Sequence, residues 1–428
     1  MKVETKKLER GEVELNIELT VEEYQPFLEI AAKKISETSK VPGFRPGKAG
    51  FEIIKQKVGE GQIWQEALEP AVQKTFLKAL DEQKLVTVGS PQIDVVKLAP
   101  GNPVAYKVKI SLLPNVELGD YSKIKVTKKE TVISDEQLQK VLSDLQKRHA
   151  KETLTDKKIA VGNKAEIDFE IFLDKVPIDN GKQQKFPLVI GEKTFIPGFE
   201  EKIIGLGKDD TKEFQLEFPK EYHQKNLAGK LADFKVKVIA VYDLQIPELN
   251  DDLAKSLGDF KNLQELKDKI KENLTAETKA KEDQKFEEEI IDKIIGESTF
   301  DDIPNILVDS ETKKMVEELE HNLSHQGIKF EDYLGHIKKK REDLLLDFAP
   351  QAIKRVKSAL IMRKVGKTEN IKLEEAEIDL EIKKTLEAYA GNAEAEKNLK
   401  QPAYRDYLKN ILTARKVMEH LKATMAQS

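Results

Sequence analysis

The sequence predicts a multi-domain α+β protein: an α+β N-terminal module, a small antiparallel sheet with one helix, and an extended all-α C-terminal region. Three observations carry this. The length, 428 residues, suits about two to four domains. Charged residues make up 35% and apolar residues 39%, too little apolar material for one thick core. The hydrophobic period also switches repeatedly between strand-like alternation and helical spacing, and turns wholly helical from about residue 246.

Residues 12–19, EVELNIEL, place Val13, Leu15, Ile17 and Leu19 on one face of a strand. Thr20 and Glu23 then offer a capping box, and Tyr24, Phe27, Leu28, Ala31, Ala32 and Ile35 make a helical stripe. A stiff, basic stretch, SKVPGFRPGKAGFEII at 39–54, interrupts it. A second helical region runs through Ile53, Ile54, Val58, Trp64, Leu68, Val72, Phe76 and Leu80. Strands return at 86–96 and 103–113, where Val104, Tyr106, Val108, Ile110 and Leu112 alternate. Together these make an N-terminal domain over 1–115. Ser134 and Gln137 cap an amphipathic helix through Leu138, Val141, Leu142 and Leu145. It belongs to a linker helix region, 116–158, expected to pack with the C-terminal domain.

Residues 159–245 form the next domain. Ala165, Ile167, Phe169, Ile171 and Leu173 alternate, as do Phe214, Leu216 and Phe218, and Phe234, Val236, Val238, Ala240 and Tyr242. Turn-rich stretches and one short helical piece separate them, so a small antiparallel sheet with one helix is predicted. From 246 to 428 the pattern is helical, with stripes such as Leu263, Leu266, Ile270 and Leu274, or Met315, Val316, Leu319 and Leu323. Narrow stripes separated by Lys and Glu predict thin helix packing with partly exposed apolar strips.

Composition narrows the function. A net charge of −5 argues against a general polyanion binder, so any basic contact must be local. With no cysteine there is no disulfide, thiolate site or Cys nucleophile. The N-terminus has no signal-peptide core, and no run reaches the roughly 18 apolar residues of a membrane helix. A soluble, cytoplasmic protein without a membrane partner is expected. His321 and His325 are four apart on a predicted helix, but His-Glu-x-x-His is absent, so they read as surface histidines. GLGKDD at 205–210 lacks the phosphate-loop spacing and reads as a turn, and no Gly-x-Ser-x-Gly elbow occurs. Neither a cofactor nor a metal is expected.

Two stretches ask for a function. Phe44, flanked by Arg45 and Lys48, sits among Pro42, Gly43, Pro46 and Gly47. A plain turn is one reading. The other is a shaped tip whose aromatic anchor and cations meet an acidic or RNA-rich surface. The aromatics of 159–245 are either the core of a small sheet or a pocket.

The stretch TFIPGFEEKIIGLGKDDTKEFQLEFPKEYH resembles FKBP-type peptidyl-prolyl isomerases over about 85 residues. The resemblance implies an apolar pocket for proline. Phe169 would come from the first strand, Asp179 from the loop after it, and Phe186 would start the next strand. Phe195, Ile196 and Phe199 would form the floor around the short helix. Tyr222 and His223 would lie on the following loop, and Phe234 on the last strand.

GFRPGKAG resembles the Gly-Phe-Arg-x-Gly-Lys signature of the bacterial trigger factor family, and the order of modules agrees over essentially the whole chain. The resemblance implies an ATP-independent, ribosome-associated chaperone with isomerase activity. Gly43, Phe44, Arg45, Gly47 and Lys48 would dock on protein and RNA of the large ribosomal subunit beside the exit tunnel. Helical arms would form a cradle for nascent and unfolded polypeptides, and empty cradles would pair in a weak homodimer. Pro46 stands where the family often carries a cation, and Gly50 where proline is common. At the level of residues alone, a plain isomerase with targeting flanks and a non-catalytic helical scaffold remain open.

Overall fold

The computed structural model describes residues 1–38, 44–128, 132–222, 224–225 and 227–427, with the backbone alone at 179 and 180. Two compact units divide the chain, Met1–Lys128 with Asp283–Ser428, and Lys129–Glu282.

The first unit opens with β1 (Lys2–Lys7) and β2 (Glu12–Leu19), then α1 (Val21–Thr38), α2 (Phe51–Val58) and α3 (Glu60–Glu82). β3 (Thr87–Lys97) and β4 (Val104–Leu112) complete an antiparallel sheet of order β1-β2-β4-β3. Register opposes Leu15 to Val108 and Ile17 to Tyr106. The alternating side chains therefore bury one face of the sheet against Tyr24, Phe27, Leu28, Trp64 and Val72 of the helices. The Thr20 capping box forms as read: Glu23 N–H donates to Thr20 Oγ1, and Thr20 N–H to Glu23 Oε2. Two polar contacts lie inside this core, while the Trp64 indole Nε1 is buried without a hydrogen-bond partner among the described residues. Tyr24 donates to the Trp64 carbonyl at 2.8 Å, and the Thr75 and Tyr106 hydroxyls meet at 2.6 Å.

β5 (Val116–Glu117) and β6 (Val126–Thr127) follow. In the second unit, α4 (Asp135–Arg148) begins with the complete Ser134–Gln137 capping box. An antiparallel sheet comes next: β7 (Lys151–Thr155), β8 (Asn163–Leu173), β9 (Val176–Val189), then α5 (Phe199–Ile203), β10 (Thr211–Glu217) and β11 (Leu231–Gln245). Its order is β10-β11-β8-β9, with β7 paired to the C-terminal end of β11 on the edge opposite β8. α6 (Asp251–Leu257) and the first turns of α7 (Leu263–Glu297) bury Ala254 and Leu266 against Leu142 of α4.

The first unit resumes with β12 (Thr299–Phe300), α8 (Asn305–His325), α9 (Phe330–Ile337), α10 (Arg341–Thr368), α11 (Glu375–Ala388), α12 (Ala393–Leu399), α13 (Pro402–Met425) and β13 (Ala426–Gln427). Its helices share several small cores. One joins Ile290, Ile294, Ile361, Val417 and Leu421, a second Val316, Leu323, Phe330 and Leu344, a third Ile378, Leu408 and Leu412. That division is what narrow stripes allow. Among the described residues, no helix is long and apolar enough to cross a membrane.

Three details differ from the sequence expectation. The second sheet takes in β7, ahead of residue 159, because KETLT pairs with Asp243–Gln245 and their neighbours although it shows no apolar alternation. Asp179 lies within the span of β9 rather than in a loop before it, in the irregular stretch where pairing with β8 shifts between Pro177 and Lys182. Phe186 consequently stands near the end of β9, opposite Ile167, instead of at its start.

Candidate functional sites

The loop between α1 and α2 leaves Phe44, Arg45, Pro46 and Lys48 exposed, with 43% of Phe44 open to solvent. Gly43 lies outside the described residues. Lys48 N–H donates to the Arg45 carbonyl at 3.0 Å, closing a turn with Pro46 and Gly47 at its centre. Gly47 has φ +78°, the value of the second central residue in a type II turn, and proline is favoured at the first. Pro46 therefore contributes backbone shape where a cation would contribute charge. A Cβ on Gly47 would stand 2.9 Å from Glu37 Cγ, so a larger residue would have to displace that side chain as well as adopt the positive φ.

One buried residue ties this turn to α1. Ser36 is 1% exposed. Its carbonyl accepts from Gly47 N–H at 3.1 Å, and its Oγ accepts from Ala49 N–H at 3.2 Å. Sequence reasoning missed it, because a serine at the end of an apolar stripe carries no sign of what its hydroxyl will reach.

In the second unit, rings converge from four elements. Phe169 on β8 meets Phe186 of β9 at 5.5 Å and Phe195 at 5.2 Å, both edge to face. Phe195 and Ile196 precede α5, whose first residue is Phe199. Gly198 turns the chain into α5 with φ +88°, and a Cβ there would press on Leu216 Cδ2 at 3.1 Å. Glu200 holds α5 in place: it is buried, and its Oε2 accepts from Gly191 N–H at 2.6 Å. Phe234 on β11 lies 5.7 Å from Phe199.

Depth separates the members. Phe169, Ile196, Phe199 and Phe234 are buried, whereas Phe186, Phe195 and Tyr222 are half-buried and form the accessible rim. Phe195 lies over Phe199 with centroids 4.0 Å apart, and Phe199 is 0% exposed. Phe214 and Phe218, read from the sequence only as alternating strand residues, also join: Phe214 stacks on Phe234 at 5.7 Å, and Phe218 meets Tyr222 at 4.8 Å. His223 lies outside the described residues, and the Asp179 backbone sits in β9. The arrangement offers apolar faces without a nucleophile among these rings. A concavity of about 510 Å³ opens elsewhere on this sheet, lined by Phe172, Lys175, Glu213, Gln215, Asp233 and Lys235 as well as the Phe214 and Phe234 flanks.

Comparison with known proteins addresses the chain as a whole and its domains. The family model described as bacterial trigger factor protein matches residues 1–145, and the model of its C-terminus matches 262–423. The trigger factor of Caldicellulosiruptor bescii is 33% identical over 98% of this chain and 95% of its own. The chain belongs to the bacterial trigger factor family. Trigger factor of Bacillus mycoides is 35% identical over 98% of this chain and 99% of its own. Residues 155–240 match the FKBP-type peptidyl-prolyl cis-trans isomerase model, so this trigger factor family chaperone carries an FKBP-type isomerase domain. A solved structure titled "Promiscuous Substrate Recognition in Folding and Assembly Activities of the Trigger Factor Chaperone" covers 98% of this chain and 99% of that one, at 21% identity and a TM-score of 0.46.

Proposed function

We propose that the protein docks on the large ribosomal subunit near the exit tunnel through Phe44, Arg45 and Lys48, on ribosomal protein and RNA together. There it holds nascent and unfolded polypeptides without ATP and isomerises their X-Pro bonds. The observation that carries the docking assignment is the tethered type II turn, which presents an aromatic ring and two cations on a fixed backbone. Pre-organisation of this kind lowers the cost of binding. The functional division follows the four segments 1–115, 116–158, 159–245 and 246–428, and the site of action is the cytoplasm. Exposed Leu346, Leu380 and Tyr407 on the helices support weak client contacts, and a weak homodimer when clients are absent.

The isomerase reaction needs no bond to an enzyme atom. Rotating an X-Pro amide costs about 18–20 kcal/mol because resonance is lost. The twisted amide is less polar in its C–N unit, so a dry aromatic surface favours it over the planar state. Phe186, Phe195 and Tyr222 meet the proline first, over a floor of Phe169, Ile196, Phe199 and Phe234. A proline ring that reaches Phe199 must displace Phe195, which covers it.

The test uses the full chain. Phe44→Ala with Arg45→Ala abolishes co-sedimentation with 70S ribosomes while proline-limited refolding of a test protein proceeds at the normal rate. Phe195→Ala does the reverse. Undiminished co-sedimentation of the double variant would sink the docking assignment.

A further inference from the structure

The end of α8 carries two histidines that neither docking nor isomerisation uses. His321 and His325 are one helical turn apart, and their Nε2 atoms stand 3.2 Å from each other. The ring centroids are 4.4 Å apart with planes at 70°. Both side chains are exposed, while Leu323 between them is buried with Phe330 and Leu344. That packing holds the helix so that the two imidazoles share the solvent side. Two neutral imidazoles at this distance satisfy one N–H···N hydrogen bond, with one ring donating.

The same spacing suits a shared ion. Placed about 2.0–2.1 Å from each Nε2, the usual zinc–imidazole distance, an ion would subtend an N–metal–N angle of about 100° at a 3.2 Å bite. That lies between octahedral and tetrahedral values. His325 lies in the last turn of α8, where exposed carbonyls favour positive charge, and His321 one turn before it. Two nearby carboxylates are engaged elsewhere, Glu318 with Arg355 at 2.9 Å and Glu320 with Arg341 at 3.0 Å. Among the described residues, no group of three or more His, Cys, Asp or Glu could hold a metal, so the protein supplies two ligands here and water the rest.

We propose that His321 and His325 form a bidentate site for an imidazole-preferring divalent transition ion of the zinc, nickel or copper class. Imidazole selects these ions over magnesium and calcium, which take oxygen ligands. The ion clips the last turn of α8, just before the reversal at Gly327 that leads into α9. The consequence is a helix end whose fraying depends on metal.

The experiment uses the full chain without an affinity tag, freed of metal by chelator and titrated with ZnCl2 or NiCl2 by calorimetry. The expected result is one saturable equivalent, lost in His321→Asn, in His325→Asn and in the double variant alike, since one imidazole cannot chelate. Both side chains are exposed, so the variants keep the wild-type circular dichroism spectrum. Amide exchange in the last turn of α8 slows with metal in the wild type alone. Binding that persists in the double variant would assign the ion to the other histidines and overturn the proposal, as would no saturable binding by the wild type.

Discussion

Ser36 offers the sharpest test of how the docking tip is built, because its replacement leaves the chemistry of the tip untouched. Ser36→Ala removes only the Oγ that accepts from Ala49 N–H. Ala49 is 6% exposed, so its N–H loses its partner where water cannot easily replace it. Orphaning a buried donor costs about 1–3 kcal/mol. Helix α1 itself gains slightly, since alanine is the better helix former. The cost therefore falls on the tethered form of the loop. A penalty of about 1–3 kcal/mol corresponds to a roughly 5–150-fold shift in population. Apparent ribosome affinity should fall by up to that factor, because only the tethered form is pre-shaped for docking. Quantitative pelleting with 70S ribosomes reads the change, alongside Phe44→Ala and a thermal melt. If Ser36→Ala pellets like the wild type while Phe44→Ala does not, docking stands and the tether is not what presents the tip. If Phe44→Ala also pellets normally, the docking assignment itself fails.

Other predictions follow from burial and titration. Phe199→Ala should cost about 3–5 kcal/mol of stability, since its ring is fully enclosed, so loss of isomerase activity there comes with a lowered melting temperature. Phe195→Ala, at the half-buried rim, should slow proline isomerisation with a much smaller change in melting, and equal losses in the two variants would contradict the division into rim and floor. Tyr121 donates to Glu369 at 2.5 Å, and burial first, then that carboxylate, pushes its hydroxyl up to about 12. Its contribution to stability is thus complete below the ordinary value of 10.0 and lost as pH rises from there to about 12. Melting temperature over that window should fall more steeply for the wild type than for Tyr121→Phe, and identical slopes would refute the coupling.

Much of the fold was legible because its causes are local. Val13, Leu15 and Ile17 alternate because every second side chain of β2 faces α1 and α3, and the stripe from Tyr24 to Ile35 is buried along one side of α1. The capping boxes at Thr20 and Ser134 need only residues three apart, and both form. What was not legible depends on partners far along the chain. β5 and β6 have two residues each, too few for any period, and exist because Thr299–Phe300 and Ala426–Gln427 pair with them.

The candidate sites divide in the same way. The sequence by itself determined which rings and cations are available: the loop motif from Phe44 to Lys48, the aromatic run from Phe195 to Tyr222, and two histidines at helical spacing. Residue type and local spacing suffice for that, since they set chemistry and backbone preference. Tertiary structure decided what each group can reach. It laid Phe195 over Phe199, turned the Ser36 hydroxyl onto Ala49, and brought two Nε2 atoms to 3.2 Å. Burial and hydrogen bonding are properties of neighbours, and neighbours are set only when the whole chain has packed.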